Sequence, residues 1–290
     1  MSMTYEKFRE RYQYDPKKDY LGGGGFGQVF RAYDNVLRRH VALKRAGVIY
    51  DLKKFRLKNE FEIASKLKPH ANIVHYEDCY TFATGIGKED IAIMQYHEEG
   101  DLDKLLLENR NLSFDEKCSI LRQILLGLEF LHEQHPKGII HRNLKPKNIM
   151  MARNHNKYVP KITDFGISQW IGSGKRQVSE IGGTLLSFFH DSPERIQGGK
   201  NSNIRRNTDL WSFGVIAYQA LTGELPFNTG GLPIRKEVGR QEVSRQITKG
   251  NLPDGINRIE QPWQGLIRRC LEKDPEKRIQ SARECLELIG

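Results

Sequence analysis

Four short runs hold residue types that could do chemistry on a phosphate. The first, Leu21-Gly22-Gly23-Gly24-Gly25-Phe26-Gly27-Gln28-Val29, contains G-x-G-x-x-G-x-V. Three kinds of glycine loop bind phosphates, and two are excluded here. A P-loop needs Gly-Lys-Ser/Thr where Gln28 and Val29 stand, and a dinucleotide fingerprint needs a helix where Val29, Phe30 and Ala32 have strand character. A glycine turn between two strands remains, in which backbone N–H groups can lie over a triphosphate. Alone, such a turn is weak evidence. The second run, Val41-Ala42-Leu43-Lys44, ends in a lysine that would need a carboxylate to hold it toward phosphate. Glu60 is the favoured partner, from its spacing to Leu67, and Glu62 competes with it. The third run is His141-Arg142-Asn143-Leu144-Lys145-Pro146-Lys147-Asn148-Ile149 and the fourth Asp164-Phe165-Gly166.

The elements that must position these runs fall into two groups. Residues 1–19 form a charged, partly helical extension, and from Tyr20 to about Tyr96 the signal is short and strand-like. One helical stretch interrupts it, with Leu57, Phe61, Ala64 and Leu67 on one face. After His97-Glu98-Glu99-Gly100 the chain changes to long helices. Ser113-Phe114-Asp115-Glu116 is a capping box opening one of them, and its stripes of Ile120, Ile124, Leu128 and of Leu121, Leu125 mark it as buried. Trp211 to Leu221 predicts a second buried helix, ended by Gly223, and Ser281 to Leu288 predicts a last one. The expected class is α+β, with a small β-rich lobe (20–96) and a larger helical lobe (97–290).

With all four motifs in order and at these spacings, the chain resembles the eukaryotic-type Ser/Thr protein kinases, in fragments the bacterial members. The resemblance implies the bilobal kinase fold and ATP and Mg²⁺ as cofactors. It implies that Gly22, Gly24, Gly25 and Gly27 cover the ATP phosphates, and that Lys44, paired to Glu60, binds the α- and β-phosphates. Leu21, Val29, Ala42 and Met150 would sandwich the purine, with Met94 as gatekeeper. Gln95 and His97 would offer backbone hydrogen bonds to adenine, and Asp101 would contact ribose. Asn148 and Asp164 would hold Mg²⁺, as hard oxygen ligands do. Lys145 would meet the γ-phosphate and marks the Ser/Thr form, while Ile167 hints at a threonine acceptor. His141 would be structural, Asp209 would support the backbone of the catalytic loop, and Glu194 would pair with Arg278. Arg142 suggests control by phosphorylation of the activation segment, with Ser173, Ser179 and Thr184 as candidates.

Two departures qualify this. Asn143 stands where the family has its catalytic aspartate, and a carboxamide cannot take the substrate hydroxyl proton; losing a positioned base costs about 10²–10⁴-fold in rate. One conservative change in an otherwise complete site reads as an inactivating substitution of an active kinase, and the alternative is a natural ATP-binding pseudokinase acting as scaffold or allosteric regulator. The stretch from Gly183-Thr184 to Pro193-Glu194 is also about three residues longer than usual. Burial is the favoured reading for Phe188 and Phe189 within it.

Composition narrows the partners. The net charge of +10 raises nucleic acid as a partner, but the basic residues come in pairs spread along the chain, so nucleic acid is not favoured. Expected partners are a Ser/Thr protein substrate and a second copy of the chain, phosphorylated in trans. No apolar run approaches the roughly 18 residues of a membrane span, and the start carries no secretory pattern, so a cytoplasmic location is expected. Cys79, Cys118, Cys270 and Cys285 lack metal-ligand spacing and read as reduced, buried thiols. A longer parent protein, with this chain as one domain, is also expected.

Overall fold

The computed structural model describes residues 3–24, 27–48, 56–85, 87–108, 111–134, 138–164, 169–170, 188–198 and 204–290. Its smaller lobe is an antiparallel sheet in the order β1-β3-β4-β6-β5, with β2 paired to β3. The strands are β1 (Tyr12–Gln13), β2 (Tyr20–Gly24), β3 (Gly27–Asp34), β4 (Arg39–Gly47), β5 (Tyr76–Thr84) and β6 (Gly87–Gln95). Strand alternation divides β4 between two environments. Val41 and Leu43 enter one core with Phe30, Ala32, Phe82, Ile91 and Ile93, whereas Ala42 lies with Ala92 and Met94 in the core that continues into the larger lobe.

The N-terminal segment covers the first of these faces. Helix α1 (Tyr5–Arg11) is capped by Thr4 and buries Phe8, which joins Tyr12 and Tyr14 in that core. Arg11 binds Asp34 at 2.9 Å, and Asp34 also accepts the Val36 and Leu37 N–H groups. On the other face lies α2 (Leu57–Ala64), packed against β5 and β6. It stops three residues short of Leu67. Lys66 N–H bonds Ile63 O and Leu67 N–H bonds Ala64 O, a tightened last turn, and Pro69 follows.

The larger lobe holds α3 (Leu102–Glu108), α4 (Phe114–His132), β7 (Ile139–Ile140), the hairpin β8 (Ile149–Asn154) and β9 (Lys157–Ile162), and β10 (Gln169–Trp170), which pairs with β7. Helices α5 (Pro193–Gln197), α6 (Arg206–Thr222), α7 (Glu237–Lys249), α8 (Trp263–Cys270) and α9 (Ala282–Ile289) complete it. The predicted capping box is present, with Ser113 and Glu116 each bonding the other's backbone. Helix α6 is the central pillar: 13 of its 17 residues are buried, and Gly223 ends it at φ 79°. Phe189 is buried and Phe188 packs against the core. All four cysteines are free, but only Cys270 and Cys285 are buried; Cys79 and Cys118 are half-buried, a correction to the expectation. Among the described residues no helix is long and apolar enough to cross a membrane.

The fully buried Phe8 makes the segment before Tyr20 part of the small lobe's core. Phe8→Ala is expected to cost about 3–5 kcal/mol in urea unfolding, the usual loss for an aromatic removed from a core. A loss under about 1 kcal/mol would show that this segment packs without stabilising.

Candidate active site

Between the lobes, Lys44 reaches two carboxylates from opposite sides. Its Nζ donates to Glu60 Oε2 at 2.7 Å and Oε1 at 3.0 Å, and to Asp164 Oδ1 at 2.7 Å. Tyr76 donates its hydroxyl to Glu60 from β5. Lys44 and Glu60 are buried. Burial alone would lower the Lys44 pKa, yet Asp164 and Glu60 hold it well above the ordinary lysine value. Burial raises the Glu60 carboxyl against the pull of Lys44. It also pushes Asp164 up, but Lys44 outweighs it and keeps that carboxyl low. The lysine is therefore charged, and Glu60 rather than Glu62 is the carboxylate against it.

The glycine turn lies where β2 meets β3, with Gly24 opposite Gly27 and Gly22 opposite Val29. Gly27 has φ 120°, and a Cβ there would stand 2.2 Å from the Arg45 carbonyl oxygen, so no other residue fits. Gly25 lies outside the described residues. Ala42 pairs with Met94 across β4 and β6, both buried, and Val29 and Met150 pack at the edge of the same core; Leu21 is half exposed. The Gln95 N–H already donates to His75 O at 3.1 Å, which removes that donor from the contacts expected for adenine. The His97 N–H makes no hydrogen bond among the described residues. Its imidazole is buried, which lowers its pKa to about 4 and keeps it neutral at pH 7. An antiparallel bridge sets Asp101 beside Met150, and Asp101 Oδ1 accepts the Lys104 N–H at 2.8 Å, capping α3.

Below the cleft, the loop after β7 is fixed from α6. Asp209 Oδ2 accepts the His141 N–H and Oδ1 the Arg142 N–H, both at 2.8 Å, and His132 Nε2 lies 2.9 Å from Oδ2. Arg142 is thereby held at φ 65°, uncommon for a residue with a side chain. His141 Nε2 meets Thr163 O, and its Nδ1 accepts the Asn143 N–H. Asn148 Nδ2 donates to Asn143 O at 2.8 Å, which leaves its Oδ1 as an oxygen ligand. Asp164, itself at φ 71°, spends Oδ1 on Lys44 and keeps Oδ2. These two oxygens suit Mg²⁺, which takes few protein ligands and fills its octahedron with water and phosphate oxygens. Burial lowers the Lys145 pKa, opposed by Asp164.

Four side chains that brace the site were not singled out in the sequence. Tyr76 and His132 act across 16 and 77 residues of chain, with no local pattern to mark them. Asp191, raised by burial, pairs with Arg195 at 3.2 Å, and Arg195 donates to the Arg142 carbonyl. Glu194 meets the buried Arg278 at 2.9 Å, joining α5 to the segment before α9. Phe165, Gly166, Ile167, Ser173, Ser179 and Thr184 lie outside the described residues.

Burial pushes Asp209 up, but the hydrogen bond and charge of His132 and the Arg142 N–H bring its carboxyl below the ordinary range. Its folded pKa lies below the unfolded value near 3.9, so its contribution is fully present above that value and is lost as pH falls through the folded one. Asp209→Asn is expected to cost about 3 kcal/mol at pH 7. The deficit against the parent should hold to about pH 5 and shrink below about pH 4. Urea melts across that range check it, and a deficit independent of pH would contradict the assignment.

Comparison with known proteins agrees with this geometry. A probable serine/threonine-protein kinase of Clostridium acetobutylicum is 30% identical over 276 residues, covering 93% of this chain and 38% of its own. The serine/threonine-protein kinase TOUSLED of Arabidopsis thaliana is 31% identical over 274 residues, covering 89% of this chain and 37% of its own. A probable serine/threonine-protein kinase of Streptomyces coelicolor is 30% identical, with 94% and 38% covered. The chain thus spans little more than a third of the length of these relatives. The protein kinase domain family matches residues 16–288, and the chain belongs to that family.

Proposed function

We propose that this chain is the catalytic domain of an ATP- and Mg²⁺-dependent Ser/Thr protein kinase, impaired here by Asn143. The observation that carries the reading is Lys44, held between Glu60 and Asp164, with Asp164 in turn acted on by the charge of Lys145 from the loop that bears Asn143 and Asn148. In this reading Lys44 orients the α- and β-phosphates, and Gly22, Gly24, Gly25 and Gly27 cover them. Leu21, Val29, Ala42, Met94 and Met150 enclose the purine, with the His97 N–H and the Gln95 carbonyl as its backbone partners and Asp101 beside the ribose. Asn148 and Asp164 hold Mg²⁺, which neutralises charge on the transferred phosphoryl group when bound. Lys145 steadies the γ-phosphate. Asn143 can position a Ser or Thr hydroxyl by hydrogen bonding but cannot accept its proton.

The same reading takes residues 20–96 and 97–290 as the two lobes, with the segment before Tyr20 packed into the core of the smaller one, in a cytoplasmic protein. Its substrates are Ser/Thr proteins, including a second copy of the chain. Asn143 also favours a second reading, an ATP-binding pseudokinase that acts through partners. Phosphate transfer from labelled ATP with Mg²⁺, on this chain and on Asn143→Asp, separates the two. A gain of about 10²-fold or more in the aspartate form is expected. Two forms that bind ATP equally while neither transfers phosphate, to itself or to a panel of protein substrates, would favour the pseudokinase.

A further inference from the structure

The helix that carries Glu60 is only partly buried. Phe61, Ile63 and Ala64 pack against the core from its middle and last turn, and Leu57 is the one apolar anchor of its first turn. Of the eight residues of α2 only Leu57 and Glu60 are buried, and its N-cap residue, Arg56, supplies no side-chain cap. A carboxylate from another strand holds its first turn instead. Asp90 on β6, 1% exposed, accepts the Lys58 N–H at 3.2 Å and Arg56 Nε at 3.1 Å on Oδ2. Its Oδ1 accepts Arg56 Nη2 and the Thr81 hydroxyl, each at 2.7 Å. A negative charge at this end of a helix also meets the favourable end of its dipole.

The register of the sheet explains why this matters for Lys44. Ala46 pairs with Asp90 and Lys44 with Ala92, so Lys44 and Asp90 project from the same face, toward α2. The helix is therefore gripped at two points, at Arg56 and Lys58 by Asp90 and at Glu60 by Lys44. We propose that Asp90 is a positioning residue for phosphate binding: it clamps the first turn of α2 so that Glu60 stays against Lys44. Without the clamp the helix populates states in which Glu60 leaves the lysine, and apparent nucleotide affinity falls with the competent fraction. This inference rests on the kinase reading above, since it assigns the clamp an effect on ATP.

The test uses the full chain with Asp90→Asn and Asp90→Ala. Asp34→Asn serves as the matched control, because Asp34 is a fully buried carboxylate that grips Arg11 of α1 rather than α2. Amide hydrogen exchange over residues 57–64 and the Mg·ATP dissociation constant are read for each. Asp90→Asn is expected to speed exchange in α2 at least about tenfold and weaken Mg·ATP at least about threefold. Asp34→Asn should lose stability and change neither. In a Glu60→Gln background, Asp90→Asn should add little further loss of affinity, because both act through one contact. Parent-like exchange and affinity in Asp90→Asn, or equal effects from Asp34→Asn, would overturn the proposal. If Asp90→Ala does not fold, the asparagine variant decides. A parent that fails to bind Mg·ATP sinks the kinase reading, and the exchange measurement then still decides whether Asp90 clamps the helix.

Discussion

A lysine ammonium withdrawn almost wholly from water must be compensated where it lies, and at Lys44 the compensation comes from two carboxylates on different parts of the chain. Glu60 belongs to α2 and Asp164 to the segment after β9, so the ion cluster ties the sheet, the helix and the larger lobe at one point. Most of the small lobe can be seen as what this cluster requires. Strand β4 must carry the lysine on the cleft face, β5 must bring Tyr76 to Glu60, and α2 must be docked tightly enough that its carboxylate is not lost to solvent. Triphosphate oxygens would compete with Asp164 for the same ammonium. The two carboxylates keep the lysine charged in the resting state, and a competing anion could take the place of one of them.

The larger lobe solves a different problem, a backbone conformation that does not hold itself. Arg142 and Asp164 both sit in the left-handed region, and such residues persist only where surroundings over-determine them. Asp209 does this for Arg142 by accepting two consecutive N–H groups, and it can do so because α6 is buried along nearly its whole length. A helix that cannot shift is a good place from which to hold a loop. The His141 ring extends the same support to Thr163, next to Asp164, so the left-handed residues are braced as one unit.

The parts legible in the sequence were those written locally. The glycine turn, the capping box at Ser113 and the stop at Gly223 each depend on residues within a few positions of one another. The choice of Glu60 over Glu62 was legible through helical spacing, although α2 ends before the Leu67 used to argue it. Partnerships across the chain were not legible from periodicity: Asp90 with Arg56, Tyr76 with Glu60, and His132 with Asp209. The first nineteen residues show the same limit. Their charges are conspicuous, yet Phe8, Tyr12 and Tyr14 do the packing, and with only Phe8 inside the helix the three aromatics form no helical stripe.

Asn143 is informative because so little around it differs from what catalysis would need. Its N–H still bonds His141 and its carbonyl still receives Asn148, so exchanging a carboxylate for a carboxamide leaves the loop's hydrogen bonds in place. On the proposed reading, what asparagine lacks relative to aspartate is one negative charge and one proton acceptor. One negative charge fewer would not weaken the hold on a polyanion. The missing acceptor would matter only when a substrate hydroxyl must give up its proton. On the proposed kinase reading, asparagine at this position would separate binding from turnover: it would spare the electrostatics that Lys44, Asp164 and Lys145 offer in the ground state and lack a group needed only on the way to the transition state.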